Sequence, residues 1–409
     1  MRAMKDSGIE WIGQIPQEWK MGRVKHVYDV TLGKMLQPNP KTDEDELCSY
    51  MCAANINWSG VDLSVEKKMW FSKKDKENYR LMEGDLLVTE GGDVAVSCIW
   101  NDELPECYIQ NAVHRVRPKS NASNRFLYYW LSTLKATGYI DQVCNKATLA
   151  HFTKDKLDSC IIPIVAENNQ QAIVSYLDAK CAEIDSLIAA KEKTNALLKE
   201  RRQSIIYEAV TKGLNPDAPM KDSGIEWIGQ IPENWSTVRV KYTGSYKSGN
   251  TITAADVKES GNFPVYGGNG LRGYTDEITH DGDHLLIGRQ GALCGNVHMV
   301  SGKFWASEHA VVGTINANYA IRFLFYVLDV FDLNRLSTSA AQPGISVEQI
   351  TGVVIPCPTF VEQQKIANVL DAKCAEVDEL ISANEETIQK LKEYRQSIIY
   401  EAVTGKIEI

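Results

Sequence analysis

The chain has 409 residues, 44% hydrophobic and 24% charged, which suits a globular protein of two or three domains with sizeable cores. No run of about 18 apolar residues is free of charge and the opening MRAMKDSGIEWIG has no apolar signal region, so no membrane span, membrane partner or secretion is expected and the setting reads as cytoplasmic. A net charge of −9 argues against nucleic acid held by bulk charge, and the ten scattered cysteines, with only Cys48 and Cys52 close together, read as reduced core thiols rather than a zinc site.

Residues 1–28 contain a box, MKDSGIEWIGQIP at Met4–Pro16, that returns unchanged at Met220–Pro232. Trp19/Trp235 and Arg23-Val24-Lys25/Arg239-Val240-Lys241 continue the match at an offset of 216. Residues 29–165 form a first middle region with an α+β pattern. There Gly84–Gly92 reads as a turn, strand and glycine loop, Val94–Trp100 and Cys107–Arg117 read as strands, and Asn124–Leu134 reads as an aromatic helix. Residues 166–213 read as a long helix, stopped by Gly213 and the prolines that follow. The second box occupies 214–242 and a second middle region 243–358, with a glycine-rich hairpin at Phe263–Tyr274, a strand from His284 and an aromatic helix at Tyr319–Val330. Residues 359–409 are the second long helix.

The helices are also written twice. LDAKCAE at Leu177–Glu183 recurs at Leu370–Glu376, and RQSIIYEAVT at Arg202–Thr211 recurs at Arg395–Thr404, both at an offset of 193. With boxes 216 apart and helices 193 apart, the first middle is 23 residues longer, and the two middles share little sequence. Residues 29–162 hold 16 Lys+Arg against 19 Asp+Glu, and 243–355 hold 7 against 10, so any DNA-binding face is a local patch or relies on a partner's positive charge.

Steps of four and three mark a coiled-coil seam in each helix. The first runs Leu177, Cys181, Ile184, Ile188, Lys191, Asn195, Leu198, Arg202, Ile205, and the second Leu370, Cys374, Val377, Ile381, Asn384, Ile388, Leu391, Arg395, Ile398. The short segment between helix one and box two places the second middle at the far end of helix one, so an antiparallel pair is expected, with its apolar seam forming the pairing and partner-docking surface. Leu177 to Ile205 spans roughly 42 Å at 1.5 Å per residue. One turn of B-DNA is about 34–36 Å.

No phosphate-binding GxxxxGK[ST], no GxSxG and no kinase motif set occurs. Nor is there an Asn-Pro-Pro-aromatic methyltransferase motif or a nuclease-type acidic–lysine motif. Gly267–Gly273 reads as a turn, and His280 and His284 flank a loop rather than a metal site. A chain with no active site and no cofactor of its own is the expectation.

On these residues the chain resembles the DNA-specificity subunits of type I restriction–modification systems. The repeated KDSGIEWIGQIP box carries the likeness, with Gln342-Pro343-Gly344-Ile345-Ser346, Ile355-Pro356-Cys357-Pro358, Glu362-Gln363-Gln364-Lys365-Ile366 and the RQSIIYEAVT tails. The first half departs at Ala150-His151-Phe152-Thr153, where the Gln-Pro pair is missing. The resemblance implies two mixed α/β target recognition domains joined by two long antiparallel coiled-coil helices in a pseudo-two-fold repeat. It implies double-stranded DNA, two methyltransferase subunits and restriction/translocase subunits as partners, with S-adenosylmethionine, ATP and magnesium held by those partners in a prokaryotic cytoplasm. An orphan specificity protein without a working nuclease and a helical scaffold with two non-DNA heads are the competing readings.

DNA-contacting candidates follow from side-chain chemistry: lysines for phosphates, Arg for guanine, amides for adenine. They are Lys67, Lys68, Lys73, Lys74, Asn145, Lys146 and Thr148 in the first middle, and Asn269, Arg272, Arg289, Gln290, Ser337 and Gln342 in the second.

Overall fold

The computed structural model describes residues 2–144, 151–291, 293–337 and 343–409. Two compact units divide the chain: Met1–Ala190 with Glu386–Ile409, and Lys191–Glu385.

In the first unit the box folds into a hairpin, β1 (Met4–Asp6) against β2 (Gln14–Pro16), with Met4 opposite Pro16. Ile12, Ile15 and Trp19 of the box are buried, and they share a cluster with Ile398, Ile399, Ala402 and Val403 from the end of the second long helix. The Tyr400 hydroxyl donates to the Trp11 carbonyl at 2.8 Å. Gly405 ends that helix at φ +69°, and a Cβ there would meet Pro16 at 2.5 Å and Trp19 at 3.0 Å. Glycine is therefore required twice over, for the left-handed turn and for the close approach.

β3 (Lys20–Arg23) pairs with β13 (Ile161–Ile164), tying the segment just before the first middle to the end of that middle. Short helix α1 (Val24–Val27) leads into β4 (Tyr28–Leu32). An antiparallel sheet follows in the order β10-β9-β12-β4, with β9 at Leu86–Thr89, β10 at Ser97–Ile99 and β12 at Val113–Pro118. A second sheet has the order β11-β5-β8, with β5 at Glu46–Met51, β8 at Lys67–Phe71 and β11 at Tyr108–Ile109. The expected strand Val94–Trp100 is shorter because Ala95 turns the chain at φ +62°. Cys107–Arg117 is two strands, since Gln110–Ala112 lets β11 pair parallel to β5 while β12 joins the other sheet. Helix α2 (Lys73–Tyr79) follows β8, and α3 (Asn124–Ala136) is capped by the Ser123 hydroxyl, which accepts the Phe126 amide. α3 buries Phe126, Tyr129 and Trp130 in the core. Helices α4 (Tyr139–Cys144) and α5 (Lys154–Ser159) complete the domain before α6 (Glu167–Lys212).

The second unit repeats this plan. Its box pairs β14 (Met220–Asp222) with β15 (Gln230–Pro232), and β16 (Ser236–Arg239) pairs with β24 (Val354–Cys357). Its four-stranded sheet runs β17 (Gly244–Ser248), β23 (Ala310–Ile315), β20 (His284–Gly288), β21 (Val297–Val300). Its smaller sheet runs β19 (Gly270–Thr275), β18 (Phe263–Gly267), β22 (Trp305–Ala306), with the same parallel outer pair. The aromatic helix is α7 (Ile321–Phe331), followed by α8 (Val347–Gly352) and α9 (Phe360–Val403). Most of the extra length of the first middle lies between β5 and β8, where the hairpin β6 (Ile56–Asn57) and β7 (Gly60–Val61) replaces a two-residue turn at Gly268-Asn269.

α6 and α9 run antiparallel. In the first unit Leu177, Cys181 and Ile184 cluster with the end of α9, and Arg395 faces Asp185 at 2.9 Å. In the second, Ile206, Ala209 and Val210 cluster with Ile366, Leu370 and Cys374 near the start of α9, and Arg202 faces Asp378 at 3.1 Å. Ile188, Leu198 and Leu391 are half-buried, while Val377, Ile381 and Ile398 are buried. At the end of α6 the seam widens: Ile205 is half-buried and Ile206 fully buried, because this turn also covers Ile228, Ile231 and Trp235 of the second box. No helix of the described residues is long and apolar enough to cross a membrane.

Candidate nucleic-acid interface

Each middle is latched to its long helix by the same three groups. In the first unit the Asp178 carboxylate accepts from Arg125 Nε at 2.7 Å and the Tyr129 hydroxyl at 2.6 Å. In the second, Asp371 takes Arg322 and the Tyr326 hydroxyl, the latter at 2.8 Å. Gln170 and Gln363 repeat a second tie, accepting the Ser123 and Ala320 amides at 2.9 Å each. Burial first, then the aspartate, pushes the Tyr129 and Tyr326 phenols far up, so both stay neutral donors. Side chains shared by both halves thus fasten heads whose remaining sequence is unlike.

In the second unit the sequence-derived candidates converge. The Gly268 turn packs so closely on the end of β20 that a Cβ at Gly288 would sit 2.1 Å from the Gly268 carbonyl oxygen. Asn269 is exposed at the tip of this turn and Arg272 is exposed on the following strand. Beneath it, Arg289 Nη1 donates to the Ser248 hydroxyl at 3.0 Å, and Gln290 Oε1 lies 3.0 Å from His309 Nδ1. Gly344 bridges to Gln290 and donates its amide to the Ser337 hydroxyl at 3.1 Å. Arg289, Gln290, Ser337 and the Asn269 turn therefore share one edge, with half-exposed His309 added. Nothing in the sequence distinguished His309, since its place depends on the pairing of β20 with β23.

In the first unit the equivalent corner is built by the same backbone bonds. The Phe152 amide donates to the Glu90 carbonyl at 2.8 Å, as the Ile345 amide does to Arg289 at 3.0 Å. The Glu90 amide donates to Ala112 as the Arg289 amide does to His309, each at 2.9 Å. A glutamate thus replaces the arginine. Lys67 and Lys68 are exposed on β8, Lys68 pairing with Glu66 at 3.3 Å, and Lys73 and Lys74 are exposed at the start of α2. Asn145, Lys146, Thr148 and Gln342 lie outside the described residues.

Each unit also holds a groove on the paired helices. In the second unit it is lined by Lys199, Arg202, Gln203, Asp378 and Ile381. The first is lined by their repeat equivalents Lys392, Arg395, Gln396, Asp185 and Ile188, with Trp58 and Tyr128 as an added wall. His284 is buried at the start of β20 and His280 stacks on Phe304 with centroids 5.4 Å apart. Among the described residues no three His, Cys, Asp or Glu side chains are placed to hold a metal.

Comparison with known proteins follows this repeat. A family model described as the type I restriction modification DNA specificity domain matches residues 16–199 and 232–393. A putative type I restriction enzyme MjaX specificity subunit of Methanocaldococcus jannaschii is 22% identical over 97% of the chain and 96% of its own length. The EcoprrI specificity subunit of Escherichia coli is 43% identical over 129 residues, covering 31% of this chain and about a third (32%) of that relative. A solved chain, from work on complex assembly and conformational transition of the type I R-M system, shares the fold at TM-score 0.73 and 17% identity, covering 96% of this chain and 99% of its own.

Proposed function

The chain belongs to the type I restriction modification DNA specificity family, and we propose that it reads a split, asymmetric, gapped DNA sequence for two methyltransferase subunits and their restriction/translocase partners. The observation that carries this reading is the pairing of two unlike heads with one twice-written frame. Identical boxes and latches hold both heads, while the equivalent corners carry half-buried Arg289 and exposed Gln290 in one unit and half-buried Glu90 and Gly91 in the other. Unlike corners suit unlike half-sites.

The twin grooves support docking of two copies of one partner, since each offers the same Lys, Arg, Gln, Asp and Ile. Two methyltransferase copies bringing S-adenosylmethionine satisfy that symmetry, and ATP and magnesium belong to the motor-nuclease subunits. These partners also supply positive charge that a chain of net charge −9 lacks. The long helices set the spacing of the half-sites, and the chain itself catalyses nothing. Incubation of the purified chain with DNA, S-adenosylmethionine and magnesium leaves the DNA unmodified, and adding the methyltransferase subunit methylates adenines within one gapped motif. Methylation or cleavage by the chain alone refutes the non-catalytic reading.

A further inference from the structure

Met35 and Leu36 are 72% and 56% exposed, and they adjoin one another just after β4. The backbone here is clamped on both sides. Before the pair, the Gly33 amide donates to Val113 at 2.9 Å, the Lys34 amide to Ile109 at 3.0 Å, and the Asn111 amide back to Lys34 at 2.9 Å; after it, the Trp70 amide donates to the Gln37 carbonyl at 3.0 Å. A Cβ at Gly33 would lie 2.4 Å from the Gln110 carbonyl carbon, so the two segments touch backbone to backbone. The Lys34 side chain is folded inward, donating to the Trp70 carbonyl at 2.9 Å and to Asp75 at 2.5 Å. The protein holds this tip rigidly while leaving its two apolar side chains in water.

The neighbours of the tip are polar and basic. Asn111 Nδ2 lies 3.2 Å from the Met35 sulfur, placing an amide beside the apolar pair. Asp75, which holds Lys34, directly follows the exposed Lys73 and Lys74. An amide beside an apolar pair, with exposed lysines at the start of the helix that holds Lys34, suits a polyanion with readable edges. In the second unit the equivalent bridge runs from Asn250 to Ser307, as Lys34 does to Gln110 here, next to the Gln290–His309 corner.

In the major groove an A·T pair presents an acceptor and a donor on adenine and a methyl group on thymine, matching an amide next to an apolar side chain. We propose that Met35 and Leu36 contact a thymine 5-methyl group in the half-site read by the first unit, with Asn111 facing the paired adenine and Lys73 and Lys74 on the flanking phosphates. This rests on the DNA-reading function proposed above.

The test uses the full chain assembled with its methyltransferase subunits, on duplexes carrying its methylation motif with deoxyuridine replacing each thymine in turn. One replacement in the first half-site weakens wild-type binding about fourfold, the worth of one buried methyl-sized group. The Met35→Ala/Leu36→Ala double variant binds the native duplex less tightly and loses that sensitivity, while keeping wild-type responses in the second half-site. A Met35→Leu/Leu36→Met variant restores the sensitivity and shows that folding is not the cause. A wild-type protein indifferent to every replacement in the first half-site, or a double variant that still responds, overturns the proposal while leaving DNA reading intact. A wild-type assembly with no sequence preference removes the underlying function and this contact together.

Discussion

Lys191 and Asn384 occupy the same position in the two helical repeats, and they bond to each other, Lys191 Nζ donating to Asn384 Oδ1 at 2.9 Å. In an antiparallel pair of matched helices a residue meets its own equivalent only at the centre of the register. Each unit also carries the same ion pair at equivalent positions, Asp185 with Arg395 in the first and Asp378 with Arg202 in the second. Asn384 Nδ2 also donates to the buried Asn195 at 2.8 Å. Polar seam residues cost stability and fix register. Asn384→Ala strands Lys191 and Asn195 and destabilises the chain by about 1–3 kcal/mol. Replacing Lys191, Asn195 and Asn384 together by Leu raises the thermal midpoint instead. Calorimetry of the two variants checks both signs, and a triple variant that melts below wild type contradicts the assignment.

The twin grooves give a stoichiometry test. Lys392→Glu reverses an exposed charge in one groove and Lys199→Glu reverses its equivalent in the other. Each single variant forms a complex with one methyltransferase subunit, and the double variant forms none, as read by native mass spectrometry. Two subunits retained by the double variant place docking elsewhere. Ile184→Asp with Val377→Asp tests the helix pairing instead, because both side chains are buried and neither lines a groove.

His114 sets a pH dependence. Its Nε2 lies 2.8 Å from the Phe152 carbonyl and its buried Nδ1 has no partner among the described residues. Burial, the largest influence, holds its pKa below 6.5 despite the Phe152 carbonyl and Glu90. The unfolded chain therefore takes up the proton first as pH falls through 6.5, and stability declines below that point. Burial lowers His280 in the same direction. Thermal midpoints measured from about pH 7.5 to about pH 5.5 fall for wild type and fall less for His114→Asn. Equal slopes would mean that His114 titrates normally.

Phosphate and base contacts separate by their salt response. Alanine at Lys67, Lys68, Lys73 or Lys74 weakens binding to every sequence and lowers the salt slope by about one for each phosphate no longer neutralised. Arg289→Ala with Gln290→Ala relaxes preference in one half-site only, by about 1–3 kcal/mol for each bidentate pair with a base that is removed. Titrations on matched and mismatched duplexes tell them apart. Unchanged preference in both half-sites removes Arg289 and Gln290 from the reading edge.

The frame was legible because its signals are local or repeated. The seam at Leu177–Ile205, the two boxes and the offsets of 216 and 193 are visible in a linear chain. The candidate edge of the second unit was only half legible. Arg289 and Gln290 stood out by chemistry, but Ser248, His309 and Gly344 join them through strand pairing between positions far apart in the chain. Met35 and Leu36 read as ordinary apolar residues, since nothing in the sequence announces that Gly33 and Asn111 clamp them outward. Likewise the turn at Ala95 that shortens a strand is a non-glycine residue at positive φ, which composition does not flag.

If the paired helices space two independent readers, their length sets the gap in the DNA target. Inserting one heptad at equivalent points of α6 and α9 lengthens each by about 10 Å, or roughly three base pairs. Methylated adenines are then mapped in DNA treated with the assembled wild-type and lengthened proteins. Two unlike half-sites are expected in both maps, unchanged in sequence, with a gap about three base pairs wider for the lengthened protein. An unchanged gap, or altered half-sites, would contradict the role of the helices as a spacer.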